Sequence, residues 1–394
     1  MVNVCLYFQV HQPFRLRNYT VFDIGNNSHY FDEQKNSSIM KKVAEKCYLP
    51  ANQELLGLIE RHPQFKASFS FSGVALEQFE QYAPEVLDSF QALAETGRVE
   101  ILDETYYHSL SFLYSKKEFT EQVQLHSHKI KKLFNVKPTV FRNTELIYNN
   151  ELANYVEGMG YKAILAEGAD HVLGWRSPNF IYKPKTTNGM KLLLKNYKLS
   201  DDIAFRFSEK SWTEWPLTAN KFSNWVSAVN GNGDCVNLFM DYETLGEHQW
   251  KETGIFDFLR YMPSEILKHP DNTFKTPSEL AKEHHAVSEL DIHNLMSWAD
   301  VERDLSAWLG NSMQQSSIRE LYAIENEIKE SKDPSILEDW RKLQTSDNFY
   351  YMCTKWFSDG DVHKYFNPYD SPYEAYIAFM NILNDIKIRL KRHR

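Results

Sequence analysis

Between residues 3 and 240, short apolar runs alternate with longer amphipathic segments, and this alternation limits the folds open to the chain. Residues 3–10, 65–71, 99–102, 139–142, 163–166, 191–196 and 236–240 read as strands. Residues 52–61, 74–95 and 117–134 read as helices, with Gly97 closing the second and Asn135 and Pro138 the third. Apolar runs without a polar alternate face suit strands buried on both sides, and helices between them suit crossovers. The expected class is therefore α/β, with a parallel sheet or barrel. From about residue 255 strand-like runs disappear and helical stretches take over, at 255–267, 301–316, 318–328, 336–345 and 373–390. The expected division is a barrel over 1–265 and a C-terminal helical region over 266–394 that packs on it and borders its cleft.

Charge and cysteine usage exclude several classes. The formal net charge of −9 over 394 residues leaves no basic stripe for a nucleic acid. No apolar segment reaches the roughly 18–20 residues of a membrane span. The first ten residues are apolar but lack a basic leader, so they read as a strand rather than a signal peptide. Cys5, Cys47, Cys235 and Cys353 are scattered and suggest neither a disulfide framework nor a zinc ribbon. A cytoplasmic chain is expected, and the sequence is silent on oligomeric state.

Five polar clusters follow apolar runs or lie where a barrel mouth would be, and carboxyl ends of barrel strands are where active sites form. The first is His11-Gln12-Pro13, where the histidine could meet a hydroxyl, a metal or only backbone groups. The second runs from Ser72 to Gln78; its Glu77 could equally be a first-turn helix carboxylate. The third, Phe141-Arg142-Asn143-Thr144-Glu145, sets an arginine near a carboxylate that a positive neighbour would keep ionised. The fourth runs from Met240 to His248, where Glu243 and Glu247 would oppose ionisation of Asp241 and keep it an acid. The fifth runs from His293 to Asp300, where Trp298 could stack on a sugar and Asp300 grip hydroxyls; a helix start with acidic residues is the alternative. Aromatic residues make up 14% of the chain, and several Trp lie in polar segments such as Trp175-Arg176 and Trp212-Thr213-Glu214-Trp215. Flat rings beside polar groups suit a carbohydrate. Two carboxyl groups flanking a glycosidic bond, about 5–5.5 Å apart in a retaining enzyme, suffice for its cleavage.

In this order the clusters resemble the five motifs of glycoside hydrolase family 57, and its α-amylase branch in particular, over residues 11 to about 311. The resemblance implies an incomplete (β/α)7 barrel followed by a helical region, a retaining mechanism and an α-glucan or maltooligosaccharide substrate. It places the nucleophile on Glu145 and the general acid/base on Asp241. Substrate contacts are expected from His11, Gln12, Glu77, Arg142, Glu243, His248, Trp298 and Asp300, with no cofactor and no metal. His363-Lys364-Tyr365-Phe366-Asn367-Pro368-Tyr369 also resembles a segment of amylase-like members. A 4-α-glucanotransferase or branching enzyme would use the same site, and a non-catalytic glucan-binding homologue is a further alternative. A zinc enzyme on a related barrel would need ligands such as His11, His108, His126 and His128. His126 and His128, two apart on a helix, would point away from each other.

Overall fold

The computed structural model describes residues 1–355 and 367–392. Among the described residues, ten strands run in chain order: β1 Val2–Val10, β2 Ala67–Phe71, β3 Val99–Ile101, β4 Val140–Arg142, β5 Ala163–Glu167, β6 Lys183–Pro184, β7 Lys191–Lys195, β8 Cys235–Asp241, β9 Asn272–Phe274 and β10 Glu289–Leu290. All the laddered pairings are parallel. One sheet has the order β3-β2-β1-β8, with β9 on the start of β1; a second has the order β4-β5-β7. Two joins connect the sheets. Asp103 bridges Phe141, with Arg142 N donating to Asp103 O at 2.9 Å, and Asn196 N donates to Asn237 O at 2.9 Å. Parallel strands with helices between them give the expected α/β architecture.

Side-chain alternation divides the strands between two cores, because successive residues of a strand face opposite ways. Val4, Leu6 and Phe8 of β1 and Val236, Leu238 and Met240 of β8 pack outward against helices. Cys5, Tyr7, Val140, Ala163, Leu165, Leu193, Cys235 and Phe239 pack together inside. Continued to the strand ends, the inward row becomes polar: Gln9, Arg142, Glu167, Lys195 and Asp241. The site grows from that layer.

The helices follow local signals. Lys116–Phe134 starts at Ser115, whose hydroxyl accepts from Glu118 N at 3.1 Å, and ends at Asn135 in the left-handed region. It buries His126 and exposes His128, as spacing by two requires. The single helix expected over 74–95 is two, Gly73–Tyr82 and Pro84–Glu95, because Pro84 has no N–H for a continuous ladder and instead opens the second helix. Strand structure also continues past residue 255: β9 pairs with β1, and helix Ile255–Leu267 runs through the expected division at 265/266. Three polar residues and a threonine in and around β9 hid it.

Helices Ser312–Ala323, Pro334–Leu343 and Pro372–Arg392 share a separate apolar core with Leu110 and Ile147 of the barrel loops. Buried Glu118 ties the two parts, accepting from Arg341 at 2.9 Å and lying 2.8 Å from Lys329. Among the described residues, no helix is long and apolar enough to cross a membrane. The segment 363–366 lies outside the described residues.

Candidate active site

Glu145 follows β4 in a tight turn whose backbone is left-handed at both Glu145 (φ 57°) and Leu146 (φ 51°). Two such non-glycine residues cost on the order of 1–3 kcal/mol each, so the surroundings must impose the shape. They do so by pairing: Tyr148 and Met296 exchange backbone hydrogen bonds of 2.9 and 3.0 Å, and Trp298 N donates to Glu145 O at 3.2 Å. The turn directs the carboxylate at three side chains. Trp298 Nε1 donates to Oε2 at 2.7 Å, Ser346 Oγ donates to Oε1 at 3.1 Å, and His108 Nε2 lies 3.3 Å from Oε1. Burial pushes the Glu145 pKa up, but the His108 hydrogen bond and charge, followed by the Arg142 charge, bring it below its ordinary value.

Asp241 ends β8 opposite Gln9 of β1. Its pKa is raised to about 6, first by burial and then by the negative charge of Glu145, while Arg142, His108 and Lys195 pull the other way. The cause therefore differs from the expectation that Glu243 and Glu247 oppose its ionisation. Glu247 pairs instead with Lys42 at 2.5 Å. Glu243 is itself lifted to about 8 by burial and the Asp241 charge, and accepts from Tyr48 Oη and, at 3.2 Å, from Gln12 Nε2.

His11 directly follows β1, with Nδ1 2.7 Å from Ser72 Oγ and Nε2 2.8 Å from Asp347 Oδ2, and its ring stacks on His108 with centroids 4.0 Å apart. Trp298 has two cations near its ring, the Arg142 guanidinium 4.8 Å and Lys195 Nζ 5.5 Å from the centroid. Arg142 is fully buried, and none of its three guanidinium nitrogens has a hydrogen-bond partner in the protein. Buried donors of that strength require partners, so the site is polar enough to hold water or a hydroxylated ligand. Glu77 lies farther out, accepting from Tyr106 Oη at 2.7 Å with Lys342 at 3.9 Å. Asp300 pairs with Lys355 at 3.3 Å. His248 follows the Asp241 turn, donating through its backbone to Glu243 O at 2.8 Å, and burial lowers its imidazole pKa to about 4.

Reading the sequence for strand-end clusters passed over His108, Glu104, Ser346, Asp347, Lys195 and Glu167. Glu104, Lys195 and Glu167 had a usable signal, since each continues the inward parity of its strand. Ser346 and Asp347 had none, because they come from a helix start, Ser346–Tyr350, in the other core. Among the described residues no group of three His, Cys, Asp or Glu side chains is arranged to hold a metal ion.

The sequence model of Glycosyl hydrolase family 57 matches residues 5–293. A Methanocaldococcus jannaschii protein named "Putative alpha-amylase" is 45% identical over 397 residues, covering 98% of this chain and 84% of that protein. Among solved structures, the fold is similar to a 4-alpha-glucanotransferase from Thermococcus litoralis, with a TM-score of 0.66 at 16% identity over 88% of this chain and 56% of that one. An alpha-amylase from Thermotoga maritima gives a TM-score of 0.62 at 12% identity over 100% of this chain and 94% of that one.

Proposed function

Because this chain belongs to glycosyl hydrolase family 57, we propose that it cleaves α-1,4-glucans as an α-amylase-type retaining hydrolase, with Glu145 as nucleophile and Asp241 as general acid/base. The supporting observation is the opposite displacement of two neighbouring carboxyl groups. The His108 hydrogen bond and charge, then the Arg142 charge, keep Glu145 ionised, as an attacking group requires. Burial and the Glu145 charge hold a proton on Asp241, as a leaving-group acid requires.

The chemistry balances in two steps. An electron pair of Glu145 forms a bond to the anomeric carbon as the glycosidic C–O bond breaks, and the leaving oxygen takes the Asp241 proton. Asp241, now a base, removes a proton from water, whose oxygen displaces Glu145 and restores both groups. Arg142, with its unpaired donors between the two carboxyls in charge terms, suits a water or sugar hydroxyl, and His11, Gln12 and Glu243 line the same mouth.

Glu145→Gln and Asp241→Asn should each lower turnover of maltooligosaccharides by several orders of magnitude while sugar binding, read by calorimetry, survives. Product analysis on oligomers of defined length then separates the possible acceptors. Products all shorter than the substrate support hydrolysis, and longer ones would replace this reading with glycosyl transfer on the same intermediate. Near-normal activity in Glu145→Gln would remove it as nucleophile.

A further inference from the structure

His108 stands between two carboxylates at opposite corners of its ring. Nδ1 lies 2.9 Å from Glu104 Oε2, and Nε2 lies 3.3 Å from Glu145 Oε1. The other Glu104 oxygen accepts from Gln9 Nε2 at 2.9 Å, and Gln9 Oε1 accepts in turn from Tyr7 Oη at 2.9 Å and Ser70 Oγ at 3.0 Å. A continuous buried chain thus runs from the barrel interior to the nucleophile. Glu104 is 0% exposed and His108 is 2% exposed, so neither offers a ligand an open surface. The His108 backbone is held left-handed, at φ 49°, with its N–H on Thr105 O at 3.0 Å.

A buried carboxylate costs several kcal/mol to desolvate, and an apolar side chain would pack as well at less cost. Fold support alone gives no reason for a charge here; a second charge to hold in place does. We propose that Glu104 and His108 are a positioning pair for Glu145, in which Glu104 fixes the imidazole and keeps its Nε2–H turned onto the nucleophile. This rests on the reading of Glu145 as nucleophile and adds two residues that touch no substrate.

The electrostatics agree. Burial works against a charged His108, yet its bonds to Glu104 and Glu145 raise its pKa, while His108 and then Arg142 lower that of Glu104 against its own burial. The charged groups facing His108 are Glu104, Glu145, Arg142, Asp241, the stacked His11 and, past it, Asp347; His126 faces Glu104 from the far side. When the glycosyl bond forms, Glu145 gives up its charge. When water displaces it, the C–O electron pair returns to the carboxylate, and a cationic His108 stabilises the restored negative charge. The pair should therefore act most on that second step.

The test is the pH dependence of maltooligosaccharide cleavage by Glu104→Gln, which keeps an acceptor for Gln9 and removes the charge. Expected are a kcat lower by about ten- to hundredfold, the usual cost of an outer hydrogen-bond partner, a KM lowered along with it because the slowed second step accumulates the glycosyl-enzyme, and an acid limb of kcat/KM moved to higher pH. Glu104→Asp should restore the limb toward its original place. The wild-type protein gives an independent readout: the His108 15N resonances, assigned by their displacement in Glu145→Gln, should show both ring nitrogens protonated at pH 6. This readout decides the matter if Glu104→Gln fails to fold. An unmoved acid limb in folded Glu104→Gln, or a neutral His108 at pH 6, overturns the proposal. Activity in Glu145→Gln instead overturns the underlying assignment, so the two failures are distinct.

Discussion

Asp347 Oδ2 lies 2.8 Å from His11 Nε2, although 336 positions separate the two residues in the chain. Next to it, Ser346 donates to Glu145 at 3.1 Å. One helix start in the helical region therefore supplies a partner to the end of β1 and another to the turn after β4, so the barrel alone does not complete the site. The family match ends at residue 293, before either residue.

That contact predicts the effect of removing it. A hydrogen bond to a charged group contributes about 1.5–3 kcal/mol. Ser346→Ala and Asp347→Asn should each reduce kcat by about tenfold or more, with thermal unfolding shifted by only a few degrees. Steady-state kinetics and calorimetry on the same samples check this. Wild-type turnover in both variants would reduce the helical region to a packing role.

Trp298 tests sugar stacking against nucleophile support. Trp298→Phe keeps a ring near Arg142 and Lys195 but deletes the Nε1–H that donates to Glu145 at 2.7 Å. Loss of that donor should lower kcat by about ten- to hundredfold with little change in KM. A raised KM with kcat preserved would instead assign the indole to substrate stacking.

Gly246, five residues beyond Asp241, has φ +112°, and an added Cβ would come 2.0 Å from the backbone oxygen of Lys46. Neither atom belongs to a flexible side-chain end, so relief requires moving the loop or the neighbouring helix. Gly246→Ala should cost on the order of 3 kcal/mol by strain and overpacking together, measured by urea unfolding. It should also lower activity by displacing the segment that carries Asp241, Glu243 and His248.

The residues most legible in the sequence were those for which local pattern and tertiary position coincide. Asp241 ends a mostly apolar strand, and Glu145 lies three residues past the short strand that carries Arg142, so strand-end position led to both. Glu104 was legible in principle, since Leu102 faces inward and parity carries that direction two residues on. It was missed because β3 has only three residues, one of them Glu100, and Asp103 follows soon after it. β9 escaped for a related reason: its single ladder to β1 is enough to form a strand that its own composition does not announce. The partnership of His11 with Asp347 leaves no local trace, because it exists only once the two cores dock. The cause of the raised Asp241 pKa was likewise a matter of three dimensions, since after burial the charge that raises it comes from Glu145, nearly a hundred positions away, while Glu247 pairs with Lys42.

The pH dependence follows from the two carboxyl groups with opposite signs. As the proposed nucleophile, Glu145 must be ionised, and its lowered pKa means that activity is lost only as pH falls below the ordinary glutamate range. As the proposed acid, Asp241 must be protonated, and its raised pKa means that kcat/KM is lost as pH rises through about 6. The profile should be a bell with its basic limb near 6. Arg142 faces both groups and lowers both, so Arg142→Met, which keeps apolar packing on Trp298 and removes the charge, should raise both pKa values. Both limbs then move to higher pH together, with the basic limb leaving the region of 6 for neutral pH. Measuring kcat/KM on a maltooligosaccharide from pH 3 to 9 for the two proteins checks the sign. A basic limb that stays in place, or moves to lower pH, would show that Arg142 does not act electrostatically on Asp241.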